Sequence, residues 1–247
     1  MRALIDADII CYRAAFGVES NTYTVFDCDE DGEPNTKALF SSNKKADVNA
    51  FIKEKELQSC VISTTRNVLK VDAALNAAMN MIDYIIDCTK AKTFTCFLTD
   101  SGSDNYRDGI ATYRKYKGNR EDSIKPVHFK AVKDMLLQNY PCVVAVGEEA
   151  DDLMGIEQCS GEGDTVICSL DKDLLQVPGN HFNFTPQYPD PFVTRKLSDS
   201  DDFFYLQAMT GDTGDNILGC PKVGPKTANK AIDWDNPWDS LVECYRT

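Results

Sequence analysis

The amino-acid sequence predicts an α/β protein with a mostly parallel sheet flanked by helices. Short apolar runs typical of buried strands alternate along the chain with longer segments whose apolar residues recur at helical spacing. In addition, acidic residues follow several of the strand-like runs, as they do at the carboxyl edge of an open α/β sheet. The length of 247 residues suits one large domain, or one domain with a small appendage.

The predicted strands are short apolar or β-branched runs. In chain order they are Ala3–Ile10, Thr22–Asp27, Lys37–Ser42, Thr93–Thr99, Cys142–Val146 and Thr165–Leu170. The turn-rich stretch DCDEDGEPN separates the second strand from the third, which indicates a hairpin. We expect this hairpin to form a ribbon-like insertion over residues 20–65, because the stretch carries no motif of its own.

Four longer segments are predicted to be helices. They are Val68–Cys88, Pro126–Tyr140, Glu149–Cys159 and Ser198–Met209. Pro126 suits the first turn of its helix, and Ser198 suits the cap position of the last one.

The composition limits the class of protein and its compartment. With 43% hydrophobic and 26% charged residues, the chain has the makeup of an ordinary globular protein with a real core. No apolar run approaches the roughly 20 residues of a membrane span, and the start MRALIDADIICYR does not resemble a signal peptide. Ten cysteines without a CxxC pair, and only two histidines, argue against structural zinc and a disulfide scaffold. We therefore expect a cytoplasmic protein with no membrane partner.

The charge is strongly negative in total but positive in one segment. The formal net charge of −13 alone argues against a nucleic-acid partner. Between Tyr106 and Lys133, however, basic residues outnumber acidic ones. The basic residues are Arg107, Arg114, Lys115, Lys117, Arg120, Lys125, Lys130 and Lys133. This pattern is typical of a protein that meets a polyanion at one defined place.

Acidic residues from four separate segments are predicted to meet at one edge of the sheet. They are Asp6, Asp100, Glu149, Asp151, Asp152, Asp171 and Asp173. A single acid at a strand end is more often a cap or turn residue than a ligand, but four segments at one edge favour a shared site. Carboxylates without histidine or cysteine partners select hard cations, which predicts Mg²⁺ or Mn²⁺ and, for phosphodiester hydrolysis, two ions.

A second motif lies near the C-terminal end, in TGDTGDNILGCPKVGPKTANKAI. It adds Asp212 and Asp215 to the acids and then follows the pattern of a helix–hairpin–helix. Glycine at the turn lets backbone N–H groups approach a phosphate, and Pro225 suits the first turn of a helix. Such an element binds the sugar–phosphate backbone without recognising bases, although an ordinary helical hairpin with a glycine turn remains the alternative.

Taken together, the motifs resemble the flap endonuclease and 5′–3′ exonuclease family, especially phage exonucleases and the 5′-nuclease domain of bacterial DNA polymerase I. The matching stretches are LIDAD, YKGNR, EADD, SLDKDLLQ and GDTGDNILGCPKVGPKTA, in the family's order. The resemblance implies a PIN-like nuclease domain over 1–210, a helix–hairpin–helix region over 211–247, and a short basic arch or gateway over 101–120.

The resemblance also implies roles for individual residues. The metal ligands, direct or through water, would be Asp6, Asp100, Glu149, Asp151, Asp171 and Asp173, with Asp152, Asp212 and Asp215 completing the second site. Lys117 and Arg120 would address the scissile phosphate. The residues expected to contact DNA are Arg13, Arg114, Lys115, Tyr116, Gly219, Val223, Gly224, Lys226 and Thr227. A K⁺ ion is implied at the hairpin, near Gly219 to Gly224.

The expected substrate is DNA with a free 5′ end or flap, or an RNA–DNA hybrid, and the basic segment is expected to become ordered around the 5′ single strand. Replication proteins are expected partners of a monomeric enzyme. Two alternatives stay open: a haloacid-dehalogenase-like phosphatase, with Asp6 as nucleophile and Asp8 as acid, and a non-catalytic DNA-binding protein of the same fold.

Overall fold

The structure is a computed structural model that describes residues 1–29, 33–100, 102, 104–120, 123–161 and 163–246. The strands are β1 (Arg2–Asp6), β2 (Glu19–Cys28), β3 (Pro34–Ser42), β4 (Cys60–Val68), β5 (Thr93–Thr99), β6 (Cys142–Ala145), β7 (Thr165–Cys168), β8 (Gly179–Phe182), β9 (Phe192–Arg195), β10 (Gly211–Asp212) and β11 (Ile217–Leu218). The α-helices are α1 (Ala7–Phe16), α2 (Lys45–Glu54), α3 (Val71–Thr89), α4 (Tyr106–Ile110), α5 (Phe129–Asn139), α6 (Ala150–Cys159), α7 (Leu197–Thr210), α8 (Pro225–Ala231) and α9 (Pro237–Arg246). Two 3₁₀ turns cover Gly118–Arg120 and Asp173–Gln176.

The chain forms two compact units. The large unit consists of Met1–Ile10, Asn80–Lys125 and Lys133–Thr247, and the small unit consists of Cys11–Met79 and Pro126–Val132. The predicted insertion at residues 20–65 lies within the small unit, and residues 211–246 lie within the large one.

The large unit contains a mostly parallel sheet, as the sequence predicts. The strand order is β6-β5-β1-β7-β8-β9, and only β9 runs antiparallel to its neighbour. The central position of β1 explains why RALID is buried almost throughout, with Ile5 opposite Cys96 on one side and Cys168 on the other. Strands covered on both faces read as continuous apolar runs. Helix α6 packs on this sheet through an apolar cluster that contains Leu4, Phe97, Met154 and Ile167.

The small unit contains an antiparallel sheet in the order β3-β2-β4. The predicted hairpin is confirmed, since β2 pairs with β3, but its turn at residues 30–32 lies outside the described residues. Strand β4 and helix α2 are not predicted from the sequence. In β4 almost every residue is exposed, so the run lacks the alternation by which a half-buried strand is recognised.

The prediction of a strand over Ala3–Ile10 is wrong in its second half. The strand ends at Asp6, whose Oδ1 accepts the Ile9 N–H at 3.1 Å and so starts α1. Isoleucines 9 and 10 suit a strand by propensity, but an aspartate that satisfies an N–H three residues on favours a helix start.

Two helix starts also differ from the prediction. Helix α7 begins at Leu197, and the Asp199 carboxylate accepts the Lys196 N–H at 3.0 Å, so Ser198 is not the cap. Helix α5 begins at Phe129, so Pro126 precedes it rather than lying in its first turn. No helix in the described part of the chain is both long and apolar enough to cross a bilayer.

Candidate active site

A cavity of about 560 Å³ in the large unit brings together most of the predicted acids. The acids that line it are Glu149, Asp151, Asp152, Asp171, Asp173, Asp212 and Asp215. Four basic side chains line it as well: Arg107, Lys117, Arg120 and Lys172. Acids outnumber bases, so the cavity carries excess negative charge.

Asp6 lies beside this cavity, at the end of the central strand, and is only 3% exposed. Its Oδ2 accepts the Ser169 hydroxyl at 2.7 Å, and Ser169 Oγ in turn accepts the Asp171 N–H at 3.0 Å. Burial raises the pKa of Asp6 to about 7, against the hydrogen bonds from Ser169 and Ile9, and the charges of nearby acids raise it further. Ser169 thus joins the ends of β1 and β7, a role the sequence does not reveal although the residue lies in a recognised motif.

Asp151 is the most perturbed carboxyl group of the cavity. Burial raises its pKa to about 8, and the charges of Asp6, Asp171 and Glu149 add to the effect while Lys117 opposes it. Burial likewise raises the pKa of Asp171, with a further contribution from Asp173. These three groups, Asp6, Asp151 and Asp171, form an acidic centre in which Asp6 is buried and Asp171 is exposed. Within it, Asp6 and Asp151 hold protons at a pH where ordinary carboxyl groups are ionised.

The stretch GEEADD forms the start of α6, with Glu149 in the cap position. The Asp152 carboxylate accepts the Glu149 N–H at 3.0 Å and also binds both Nη atoms of Arg107, at 2.7 and 2.8 Å. Burial opposes ionisation of Asp152, but the hydrogen bonds from Arg107 and the Glu149 N–H, with the charges of Arg107 and Lys117, together outweigh it and lower the pKa. Part of the crowded charge is therefore offset by a helix N-terminus and an arginine.

The YKGNR stretch pairs with the acids directly. Lys117 Nζ lies 2.5 Å from Glu149 Oε1, and Arg120 Nη2 donates to Asp215 Oδ1 at 2.9 Å. The Tyr116 hydroxyl lies 3.0 Å from Glu149 Oε2 and 3.1 Å from Asp215 Oδ2. Burial, followed by the charges of Glu149 and Asp215, raises the pKa of Tyr116, so the phenol stays protonated as a donor to these carboxylates.

The same stretch is fixed to the loop between β10 and β11 through main-chain groups. The Lys117 N–H donates to the Asp215 carbonyl at 3.1 Å, Asn119 Nδ2 to the Thr213 carbonyl at 2.7 Å, and Arg120 Nε to the Gly214 carbonyl at 2.9 Å. Basic residues this close in sequence would repel one another if they were unpaired, but Arg107, Lys117 and Arg120 each pair with an acid of the cavity.

The loop that carries Asp212 and Asp215 is closed at its base. Gly211 pairs with Leu218 and has a positive φ of 72°. A Cβ on Gly211 would lie 2.2 Å from the Gly219 nitrogen, and a Cβ on Gly219 would lie 2.2 Å from the Thr210 carbonyl carbon. Only glycine fits at either position, because the two backbone segments touch with no space for a side chain.

Asp173 and Asp212 form a second acidic pair. Lys172 Nζ lies 3.0 Å from Asp173 Oδ1 and 3.0 Å from Asp212 Oδ2. Gln207 Nε2 donates to the same two oxygen atoms, at 2.7 and 3.0 Å. Within the ranges the structure describes, no three His, Cys, Asp or Glu side chains converge closely enough to enclose an ion, and basic or amide groups lie between the carboxylates instead.

Other predicted site residues lie elsewhere. Asp100 follows β5, donates its N–H to the Ala145 carbonyl at 2.8 Å, and does not line the cavity. Arg13 belongs to the small unit. Asp8, the acid of the phosphatase alternative, accepts the Thr99 N–H at 2.9 Å. The Lys115 carbonyl oxygen accepts a hydrogen bond from Asn216 Nδ2 at 2.9 Å.

The stretch predicted as a hairpin leads into helix α8. Gly224 is the cap residue of α8, and Pro225 occupies its first turn. Val223 packs against a separate apolar cluster of α7, α8 and α9 that includes Met209, Ala228 and Leu241. Lys226 and Thr227 are exposed in the first turn of α8.

A second cavity of about 510 Å³ adjoins the first, and Arg107, Tyr116, Asp215 and Ile217 line both. Its own lining includes Tyr106, Ile110, Tyr113, Arg114 and Leu218. Aromatic and apolar side chains therefore lie next to the acids, on the segment that the sequence identifies as basic.

Known proteins match both the sequence and the fold. Residues 59–197, more than half of the chain, match the model of the 5′-3′ exonuclease N-terminal resolvase-like domain. The chain is 31% identical over 164 residues to a DNA polymerase I of Rhizobium leguminosarum, covering 61% of this chain and 16% of that protein. It is 32% identical over 147 residues to a 5′-3′ exonuclease of Buchnera aphidicola subsp. Schizaphis graminum, covering 52% of this chain and 48% of the other.

The chain thus spans about half or less of the length of these relatives. Among solved structures, the T5 D15 protein co-crystallized with metal ions has a TM-score of 0.53 at 17% identity, covering 93% of this chain and 73% of the other. That likeness shows the fold, and it agrees with the PIN-like fold expected from the motifs. The family match confirms the resemblance, and the chain belongs to the 5′-3′ exonuclease family.

Proposed function

We propose that this chain is a divalent-metal-dependent 5′–3′ exonuclease and flap endonuclease that hydrolyses phosphodiester bonds in DNA. The observation that carries the proposal is the cavity in which clustered acids face Lys117 and Arg120, in a chain of this family. Acids that bind cations and bases that bind phosphate are the two parts that phosphodiester hydrolysis requires.

The donor set fits divalent metal ions. The groups at the acidic centre are carboxylates, the ligands that Mg²⁺ and Mn²⁺ prefer. Burial raises the pKa values of Asp6 and Asp151, and the charges of neighbouring acids raise them further. Asp6, Asp151 and Asp171, with Glu149, would hold one ion, and Asp173, Asp212 and Asp215, with Asp152 nearby, would hold the second. The T5 D15 protein of the same fold was itself co-crystallized with metal ions. When bound, the ions would activate the attacking water and stabilise the leaving oxygen.

The residues of this chain bind and orient the phosphate. Lys117 and Arg120 point into the cavity and are held there by Glu149 and Asp215, so their charges are in place before the substrate arrives. A cation aimed at the reacting phosphate stabilises charge that grows in the transition state. Tyr116 lines both cavities and can meet an unpaired base from the second one while its hydroxyl orients the acids.

The phosphatase alternative fits the geometry less well. A nucleophilic aspartate needs an accessible oxygen atom, but Asp6 is 3% exposed and both of its oxygens accept hydrogen bonds. Asp8, the acid of that mechanism, is engaged by the Thr99 backbone.

Finer features are part of the proposal. The substrate would be DNA with a free 5′ end or flap, or an RNA–DNA hybrid, and duplex backbone would contact the hairpin at Gly224, Lys226 and Thr227. A K⁺ ion near Gly219 to Gly224, replication proteins as partners, a monomeric state and a cytoplasmic location follow from the family resemblance and the composition.

Cleavage of labelled DNA tests the proposal. A 5′-flap substrate and a small phosphate ester are each incubated with the protein in Mg²⁺, Mn²⁺, Ca²⁺ or EDTA. We expect flap cleavage in Mg²⁺ and Mn²⁺, none in EDTA, and no turnover of the ester. Asp171→Asn should abolish cleavage, whereas Asp190→Asn, an exposed aspartate outside the cavity, should not. Turnover of the ester without flap cleavage would support the phosphatase, and DNA binding without cleavage would support the non-catalytic alternative.

A further inference from the structure

The second acidic pair, Asp173 and Asp212, is bridged by the ammonium group of Lys172. Lys172 Nζ lies 3.0 Å from one oxygen of Asp173 and 3.0 Å from one oxygen of Asp212. These two acids come from distant parts of the sequence, one after β7 and the other from the closed loop at β10. The ammonium group therefore lies where a divalent ion shared by these two carboxylates would lie.

Gln207 fixes the geometry of the same pair from the other side. Its Oε1 accepts a hydrogen bond from Gln176 Nε2, which leaves its Nε2 to donate to Asp173 Oδ1 and Asp212 Oδ2. Because Gln207 and Lys172 donate to the same two oxygen atoms, those atoms face one shared position. Gln207 positions the pair without adding charge, whereas Lys172 adds the charge that a metal ion would otherwise supply.

Lys172 is able to leave this position. Its side chain is 64% exposed, whereas the side chains of Asp173 and Asp212 are 33% and 11% exposed. An exposed lysine on a flexible four-carbon stem holds its partners weakly, and it can turn into solvent without leaving a buried group unpaired.

We propose that Lys172 is an internal counter-ion that competes with the second divalent ion for Asp173 and Asp212, and that it sets the affinity of that ion. This inference rests on the proposed function, since it assumes that the pair binds a metal. While Lys172 occupies the pair, the divalent ion must displace a positive charge and is repelled by it. The first site also meets a lysine, since Lys117 pairs with Glu149 there. That ammonium group bonds neither Asp6 nor Asp171, whereas Lys172 bridges two acids of the second site.

The two ions should therefore bind unequally, and Lys172 should account for part of the difference. Removing the ammonium leaves two carboxylates facing the same position without a positive charge between them, which favours a divalent cation more strongly. Replacing lysine with arginine retains the competing charge. Removing an exposed lysine far from the cavity, such as Lys92, changes the net charge equally but leaves the pair intact.

Titration calorimetry of the DNA-free protein with Mn²⁺ tests the inference. The affinity for the second, more weakly bound Mn²⁺ ion should be roughly three- to tenfold higher in Lys172→Met than in wild type. The reason is that an exposed ion pair is worth a few tenths to one kcal/mol per partner. The affinity for the first, more tightly bound ion should change by less than about twofold. Lys172→Arg and the control Lys92→Met should both resemble wild type.

Melting in EDTA gives a second readout. Lys172→Met should melt a little below Lys92→Met without metal, because Asp173 and Asp212 then repel each other, and the difference should vanish or reverse when Mn²⁺ is added. Unchanged or weaker binding of the second ion by Lys172→Met would overturn the inference and leave the proposed function standing. Absence of any bound ion in wild type would overturn both.

Discussion

Asp6 and Asp151 of the acidic centre make the metal-free protein lose stability as the pH rises, and substitution of Asp151 tests this directly. In the folded state the pKa of Asp6 is about 7 and that of Asp151 is about 8, whereas an aspartate in an unfolded chain has a pKa of about 3.9. Between about pH 5 and 6.5, the folded state therefore holds two protons that the unfolded state has released. Stability is fully present below the unfolded pKa and is lost as the pH rises through the folded pKa values.

The size of the effect follows from the number of protons. Each proton held only by the folded state changes the free energy of unfolding by about 1.4 kcal/mol per pH unit, so two protons give a slope of about −2.7 kcal/mol per pH unit. For a chain of this size, 1 kcal/mol corresponds to about 2–4 °C in Tm. Wild type in EDTA should therefore lose about 5–10 °C per pH unit from these two groups.

Asp151→Asn removes one of the two protons. We expect its slope to be shallower by about 1.4 kcal/mol per pH unit, and its Tm at pH 8 to exceed that of wild type. The assay is thermal or denaturant unfolding in EDTA at half-unit steps from pH 5 to 8.5, with Asp190→Asn as the control. Equal slopes for wild type and Asp151→Asn would refute the assignment of a held proton to Asp151. Addition of Mn²⁺ should make the stability of wild type depend less on pH, because a bound cation replaces the protons on Asp6 and Asp151.

Further predictions concern single residues of the site. Asp171→Asn should abolish cleavage while Tm in EDTA stays level or rises; a large fall in Tm would show a structural role instead. Lys117→Ala should slow cleavage by roughly 10²–10³ and change flap affinity in Ca²⁺ far less, since its charge acts on the transition state; equal losses would make it a general electrostatic contact. Gly224→Val should weaken duplex binding but not Mn²⁺ binding, because nothing in the protein lies within 4 Å of an added Cβ there, and unchanged binding would exclude the hairpin as a contact. A flap whose 5′ end carries a bulky protein block should be cut more slowly than a free one if the strand passes the basic segment, and an equal rate would reduce that segment to a docking surface.

The sequence predicts the central part of the molecule well because its strands are buried on both faces. Strand β1 contains the apolar run ALI, and strand β5 is rich in aromatic and β-branched residues, so both are recognised by composition. The acids at their ends follow from chain order. Strand β4 is missed for the opposite reason, since a strand exposed on both faces carries no periodic signal.

The partners of the acids could not be predicted from local sequence. Arg107 binds Asp152, Ser169 binds Asp6 and Gln207 binds Asp173, and each pair joins residues that are far apart in the chain. Periodicity and propensity report on neighbours within a few positions, whereas these contacts depend on how the elements pack. For the same reason, the local sequence shows a cluster of basic residues but not the carboxylates with which Arg107, Lys117 and Arg120 pair in the folded chain.

The contact between Gly211 and Gly219 has a consequence for protein engineering. Because the two backbone segments touch, the residues between them form a closed loop, which Gln207 of α7 and the YKGNR stretch hold from outside. Asp212 and Asp215 both lie on this closed loop, so the distance between them depends on its closure. Such a loop could be grafted onto another helical hairpin with its carboxylate spacing preserved, provided that both glycines are carried with it. An added methyl group at either glycine would lie 2.2 Å from backbone atoms of the opposite segment, so the two segments would have to separate and the spacing of the acids would change.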